Sequence, residues 1–507
     1  MYLSDEQIGS GVRLACQVRP KHDIELVILN PTPLSSWKTI TPPHRYCTPS
    51  QGFPAWTPPD LFKGIRHPYG AAVDLGTTHV SLSIYDLSTG EWFAGRHGIN
   101  PQIVHGADVI SRLTAACESP EMARTLGQQA IDAIAEAIID VAAREGIGAE
   151  QVVKVVVGGN TAMLALLSGR NYQLLLEPAH WMSTIDCLPD DPGSLSRSWG
   201  IHPQAIIEIL PPLAGFVGSD LMAGVIATKL TETGPGNLLI DFGTNSEVAL
   251  WDGKALWVTS AAGGPAFEGC GISCGTVAEP GAIYQVRDPA GKACGGAGTT
   301  GFTMAKNPSD PGGMTAARGI LGSTFTFSTI EGENPTGICG SGIVDLIACL
   351  VGSGKLTRTG RFAPDLPQEE IVLLEGERRL VLTRKDVDIF QRAKGAISAA
   401  IGVLISMAGL RANELQRIYV GGAFGHFLNK ANAVSIGLLP DMSYECIQLC
   451  GNTALAGCEY LLMSSASIEH LKRIAAGARL INLARSADFE DLFFEGLYLR
   501  KWPEKDR

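Results

Sequence analysis

Two stretches of the chain share one pattern: a short apolar run reaches an Asp, turns on Gly-Thr, and resumes as a strand with period-two alternation. The first is Ala71-Ala-Val-Asp-Leu-Gly-Thr-Thr-His-Val-Ser-Leu-Ser-Ile-Tyr85 and the second Asn237-Leu-Leu-Ile-Asp-Phe-Gly-Thr-Asn-Ser-Glu-Val-Ala-Leu-Trp251. Each predicts a β-hairpin with a glycine-containing tip. Downstream of each lies an apolar strand ending in Gly-Gly, Val155-Val-Val-Gly-Gly-Asn160 and Ile418-Tyr-Val-Gly-Gly-Ala423. An amphipathic helix precedes each of these strands. The first covers about 122–145, with Ile131, Ile134, Ile138 and Val141 at helical spacing and Gly146 as its stop; the second covers about 385–410, with Ile397, Ile401, Leu404 and Ala408 on one face. The order hairpin, insert, helix, strand, Gly-Gly therefore occurs twice. A duplication at this scale predicts two similar α/β lobes facing each other, with ligands at the carboxyl ends of the strands.

Composition narrows the class. At 507 residues, 45% hydrophobic and 18% charged, the chain can bury one or two large cores. Forty Lys and Arg against 51 Asp and Glu give a net charge of −11, and no basic block is present to neutralise a run of phosphates, so nucleic acid is not an expected partner. The longest uncharged apolar stretch, Gly395–Leu410, is short for a bilayer span and reads as a packed helix. The N-terminus has no basic and apolar export pattern, which places the chain in the cytoplasm. Twelve Cys are scattered singly and read as buried thiols; Cys270 and Cys274, and Cys446, Cys450 and Cys458, are read the same way. Prolines 31, 33, 42, 43, 49, 54, 58 and 59 mark residues 29–69 as a linker or wrapping arm.

An Asp at a strand end followed by Gly-Thr in a tight turn can hold Mg²⁺ through water while the loop N–H groups meet phosphate oxygens. Two such loops can grip one polyphosphate from both sides. A lone copy is ordinary turn chemistry; two at matched positions are not. Gly421-Gly-Ala-Phe-Gly425 adds a place where a flat base or ribose can lie against the backbone.

The pair Val73-Asp-Leu-Gly-Thr-Thr78 and Ile240-Asp-Phe-Gly-Thr-Asn245, with Val420-Gly-Gly-Ala-Phe-Gly425, resembles the acetate kinase, sugar kinase, heat-shock chaperone and actin (ASKHA) superfamily of ATPases. Asn100-Pro-Gln-Ile-Val-His-Gly-Ala-Asp-Val-Ile-Ser-Arg112, Gly159-Asn-Thr-Ala-Met163 and Leu210-Pro-Pro-Leu-Ala-Gly-Phe-Val-Gly-Ser-Asp220 narrow the resemblance to the reductive activators of corrinoid-dependent methyltransferases. Gly263-Gly-Pro-Ala-Phe-Glu-Gly269, Gly337-Ile-Cys-Gly-Ser-Gly342 and Gly451-Asn-Thr-Ala-Leu-Ala456 extend it over roughly 70–500. It implies two actin-like (ribonuclease H-like) lobes, 70–235 and 236–507, around an ATP cleft. It also implies an ATPase that enables a Co(II) corrinoid protein to be reduced to Co(I). By that analogy the phosphates lie against Asp74, Gly76, Thr77 and Thr78 on one side and Gly243, Thr244 and Asn245 on the other. Asp74 and Asp241 hold Mg²⁺ through water, and Asp220, otherwise an ordinary helix N-cap, is the candidate base. The adenosine lies near Gly421, Gly422, Phe424 and Gly425, with Lys394 a further candidate. Gly340 and Ser341 either turn against the nucleotide or cap the following helix.

Members of that family begin with a ferredoxin domain carrying a [2Fe–2S] cluster on four Cys. Here residues 1–28 resemble only the end of such a domain, with Cys16 as the fourth ligand; Cys47 has the wrong spacing, and the cluster cannot be built from this chain. Three readings follow: the chain is a truncated version of a longer protein, it has lost its electron entry and borrows an external electron donor, or it has abandoned the activation function. A middle domain found in the family also reads as missing, since about forty residues separate Ile28 from Tyr69. The alternative function is a small-molecule kinase of the same superfamily. An activator of 2-hydroxyacyl-CoA dehydratases, needing paired Cys for a [4Fe–4S] cluster, and a non-hydrolysing ATP-binding scaffold are further readings.

Overall fold

The computed structural model describes residues 37–40, 56–269, 271–287, 318–320, 325–375, 379–422, 424, 427–465 and 467–502. Both hairpins form where the alternation places them, β2 (Tyr69–Leu75) with β3 (His79–Asp86) and β7 (Asn237–Phe242) with β8 (Ser246–Trp251). Each belongs to a six-stranded sheet. The first sheet adds β1 (Lys38–Thr39), β4 (Glu91–Ile99), β5 (Val152–Gly159) and β6 (Ile206–Ile209), in the order β1-β4-β3-β2-β5-β6. The second adds β9 (Leu256–Ala261), β16 (Arg417–Gly422), β17 (Ile447–Gly451) and β18 (Ala478–Leu480), in the order β17-β16-β7-β8-β9-β18. In both, the hairpin strands are antiparallel and the Gly-Gly strand runs parallel to the first hairpin strand. The expected duplicated α/β fold is present.

Inner strands of both sheets are apolar on both faces, as parallel pairs buried between helices must be. Leu238, Ile240 and Phe242 of β7 enter one core while Leu239 enters another; Ala71, Val73 and Leu75 of β2 do the same opposite Ala72. The outer faces are covered by the helices Pro120–Glu145 and Arg384–Met407. Ser119 caps the first, and Gly146, at φ +73°, ends it. Thr383 and Asp386 form a capping box on the second, which stops short of the expected 410 at Gly409, φ +67°. This helix is long and apolar enough to cross a membrane by length and composition, but 72% of its most apolar window is buried inside the protein.

Between the sheets lies a third core built on two short helices, Ser219–Thr228 and Thr453–Leu462. They cross at glycine: a Cβ on Gly457 would stand 2.1 Å from the Ala223 carbonyl oxygen. The far end of Thr453–Leu462 is held by the first sheet, where the buried Lys154 Nζ donates to the carbonyls of Leu462 (3.0 Å) and Ser464 (3.2 Å). That cation satisfies acceptors a helix C-terminus otherwise leaves open.

Two features lay outside the expected order. Part of the Pro-rich arm is structural: β1 pairs with β4, and Trp37 is buried against Gly98. The second half also carries an inserted four-stranded sheet, β10 (Ala282–Arg287), β11 (Arg318–Ile320), β12 (Phe325–Thr329) and β13 (Gly337–Ile338), and a two-stranded one, β14 (Glu370–Leu374) with β15 (Leu380–Thr383). Cys16, Cys47, Cys270, Gly425 and His426 lie outside the described residues. Cys274 and Cys458 are free, buried thiols, Cys450 is a buried thiol and Cys446 is free and partly exposed; Cys349 is disulfide-bonded, against the expectation for the cysteines as a class.

Gly457→Ala is expected to force the two central helices apart and to destabilise the chain by about 3 kcal/mol. Gly234→Ala, at a position with open space around it, changes stability by less than about 0.5 kcal/mol. Urea unfolding of both variants checks the difference.

Candidate functional site

The two hairpin tips meet. Each closes on a glycine: Gly76 N–H donates to His79 O (3.0 Å) and Gly243 N–H to Asn245 O (3.2 Å). The hydroxyls of Thr78 and Thr244 then lie 3.3 Å apart, and both donate to Glu268 Oε2, at 3.0 and 2.9 Å. Asn160, which caps the helix Thr161–Ser168, donates its amide to Thr77 Oγ1 at 2.7 Å.

Behind the tips, Asp74 sits beside Gly158 in the first sheet and Asp241 beside Gly421 in the second. The Gly-Gly pairs are needed there for space. A Cβ on Gly421 would fall 2.5 Å from Thr453 Oγ1, and one on Gly422, which adopts φ +73°, 2.5 Å from Asp241 Oδ1. One helix N-terminus serves both acids: Asn452 Nδ2 donates to Asp74 (2.7 Å) and Thr453 Oγ1 to Asp241 (3.0 Å), while Asn452 Oδ1 caps its own helix at Leu455 N.

Asp220 joins this group from the helix Ser219–Thr228. It is in the first turn and accepts from Leu221 N, whereas Gly218 occupies the N-cap, so the ordinary-cap alternative for Asp220 does not hold. Glu247 of β8, cross-strand partner of Asp241, completes the cluster. Burial drives every one of these groups toward the protonated form. Asp74 is pushed up to about 7 by burial and the Asp241 charge, against the Asn452 hydrogen bond. Asp220 rises to about 7 through burial and the charges of Asp241 and Asp74, and Asp241 to about 6 through burial. Glu247 is raised by burial and by Asp220 and Asp241. Such a set of desolvated carboxyls awaits positive charge. A small crevice adjoins it, lined in part by Asn160, Phe216, Asn245 and Glu247.

The remaining candidates are placed elsewhere. Phe424 is 1% exposed, edge-on to Phe242 (4.8 Å) and Phe267 (5.2 Å), so its ring belongs to the core and cannot stack on a base. Lys394 is buried away from the loops and donates to Tyr498 O at 2.7 Å; burial pulls it down to about 7. Gly340 starts the helix Gly340–Gly352 under the Phe424 ring, and Ser341 Oγ donates to Tyr284 O.

Sequence reasoning assigned no role to Glu247, Glu268, Asn160, Asn452 and Thr453. A signal for three of them was available, because Gly-Asn-Thr-Ala occurs twice, at 159–162 and 451–454, each time opening a helix whose capping Asn also reaches the first loop. Glu247 is a charged residue inside an otherwise apolar strand.

Residues 236–505 match the family described as the C-terminal domain of RACo, the ASKHA domain, and residues 69–233 match the RACo middle region. The chain belongs to the RACo family. The middle region that read as missing is therefore present, as the half built on the first sheet. Among RACo-like relatives, the corrinoid activation enzyme RamQ of Eubacterium limosum is 30% identical over 450 residues, covering 84% of this chain and 69% of that protein. The [Co(II) methylated amine-specific corrinoid protein] reductase of Methanosarcina barkeri is 27% identical over 420 residues, covering 80% and 72%. The solved structure of a reductive activator for corrinoid, iron-sulfur protein superimposes with a TM-score of 0.70 at 29% identity, over 86% of this chain and 66% of that one.

The acid cluster makes a pH prediction. Carboxyls that titrate near 4 when unfolded and near 6 to 7 when folded hold more protons in the folded state between those values, so stability falls as pH rises through that window. Asp241→Asn is expected to stabilise the metal-free chain by about 2 kcal/mol at pH 8 and much less at pH 5. An equal gain at both pH values, in urea unfolding, would contradict the assignment.

Proposed function

We propose that this chain is an ATP-dependent reductive activator of a corrinoid protein. The observation that carries the proposal is the meeting of both Asp-Gly-Thr loops, one from each sheet, over Asp74 and Asp241 in a RACo-family fold. Reduction of Co(II) to Co(I) is thermodynamically hard, so nucleotide binding or hydrolysis must drive a rearrangement that alters the cobalt environment. Two sheets joined through a pair of crossing helices supply the movable element.

In this reading the halves divide at 70–235 and 236–507. The loop N–H groups and hydroxyls at Gly76, Thr77 and Thr78, and at Gly243, Thr244 and Asn245, receive the phosphates. Thr78 and Thr244 are in contact, so the tips part to admit them. The donor set fits Mg²⁺: it is all carboxylate oxygen, desolvated and short of positive charge. In this reading Asp74 and Asp241 would hold the ion through water. With Mg²⁺ held there, phosphate charge would be neutralised and both carboxyls would stay ionised. Asp220, in the first turn of its helix and facing the same cluster, orients the attacking water and takes its proton. Gly421 and Gly422 line the adenosine side; Phe424 and Lys394 are withdrawn from it. The partner is a cytoplasmic corrinoid protein, and no observation favours the kinase alternative.

Asp241→Ala is expected to lower ATP hydrolysis by about 100-fold, the size of losing several kcal/mol of metal-held charge stabilisation, with an unchanged circular dichroism spectrum. Turnover like that of the wild type would remove the proposed cleft.

A further inference from the structure

Glu268 follows the short helical turn Gly264–Phe267 and reaches both hairpin tips from the second half of the chain. A single carboxylate oxygen, Oε2, takes the hydroxyl protons of Thr78 and Thr244, residues 190 and 24 positions away. While it does so, neither hydroxyl is free to donate to a phosphate. Charge-assisted hydrogen bonds of this kind are about twice as strong as neutral ones, so the contact holds the loops shut.

Arg112 supplies a second observation. It is fully buried; its Nε donates to Gly106 O at 2.9 Å, and Nη1 makes long contacts of 3.4 Å with Gln102 Oε1 and Met163 Sδ. Among the described residues its Nη2 has no hydrogen-bond partner. The charges acting on it are those of Asp108 and Glu268; burial pushes the Glu268 carboxyl above its ordinary value, while the hydrogen bonds from Thr244 and Thr78 and the charge of Arg112 oppose that rise. A buried guanidinium with an open donor is costly unless another state of the protein fills it.

We propose that Glu268 is a positioning residue that clasps the two Gly-Thr loops together, that the terminal phosphate of a nucleotide displaces it from Thr78 and Thr244, and that Arg112 receives the displaced carboxylate. The proposal rests on the reading of the cleft as an ATP site. It concerns selectivity among nucleotides: a ligand too short to reach the tips has no clasp to open, so Glu268 taxes ATP and spares AMP.

Isothermal titration of the full chain with Mg-ATP and with AMP tests this. Glu268→Ala is expected to bind ATP at least about five-fold more tightly with AMP unchanged, Arg112→Met to bind ATP about five-fold more weakly with AMP unchanged, and the double variant to match Glu268→Ala. Should Glu268→Ala fail to fold, Glu268→Gln, which keeps an acceptor and loses the charge, shifts the ATP to AMP ratio in the same direction by a smaller factor. Equal shifts for ATP and AMP, or weaker ATP binding by Glu268→Ala, overturn the clasp while leaving the ATP site standing. A wild-type chain that binds neither nucleotide overturns the clasp and the ATP reading with it.

Discussion

Asp74, Asp220 and Asp241, each partly buried, and the buried Glu247 lie within range of one another's charge, and much of the local architecture exists to make that arrangement tolerable. Like charges out of water repel and lose hydration together. The compensation comes from polar groups that the fold delivers to one point: an amide and a hydroxyl from the start of the helix Thr453–Leu462, and the N–H groups of the first turn of Ser219–Thr228. Both helix dipoles put their positive ends toward the acids. The paired glycines of β5 and β16 are the other half of the solution, because a Cβ would run into the Cys458 thiol at Gly158, the Leu75 carbonyl at Gly159, the Thr453 hydroxyl at Gly421 and the Asp241 carboxylate at Gly422.

This gives the helix Thr453–Leu462 a special place. Its N-terminus holds one acid from each sheet, its middle packs on Ser219–Thr228 through Gly457, and its C-terminus rests on Lys154 of the first sheet. Just beyond, Met463 O accepts from Trp56 N, in the segment that leads in from the Pro-rich arm, and Lys154 lies over the Trp56 ring. A ten-residue helix spans only about 15 Å and is stiff on that scale. Any change in the spacing of Asp74 and Asp241 must therefore move or strain it, and its far end is where the arm is attached.

Features set by short-range pattern were legible in the sequence. The hairpins, their glycine tips, the Gly-Gly strands and the two outer helices each announce themselves within fifteen to thirty residues, and their duplication led to the two-sheet fold. The acids at the strand ends followed from the same motif. Phe424 was misread because its glycine-rich surroundings suggest an exposed loop, whereas the ring fills the space between Phe242 and Phe267, residues more than 150 positions earlier. Glu268 was invisible for a related reason: its role depends on Thr78, 190 residues away, and no local spacing encodes that meeting. The second Gly-Asn-Thr-Ala was readable, but a capping Asn is common enough that its second duty, donating to Asp74, emerges only when the strands are laid side by side.

The central claim is that nucleotide chemistry at this cluster serves the reduction of a corrinoid. It is tested most directly by the cobalt absorption spectrum of a Co(II) corrinoid protein held anaerobically with a chemical reductant and the purified chain, with and without Mg-ATP. The account predicts Co(I) formation only when both the chain and Mg-ATP are present. Hydrolysis of ATP with no Co(I) formed from any corrinoid protein tried, or Co(I) formed equally without ATP, would contradict it.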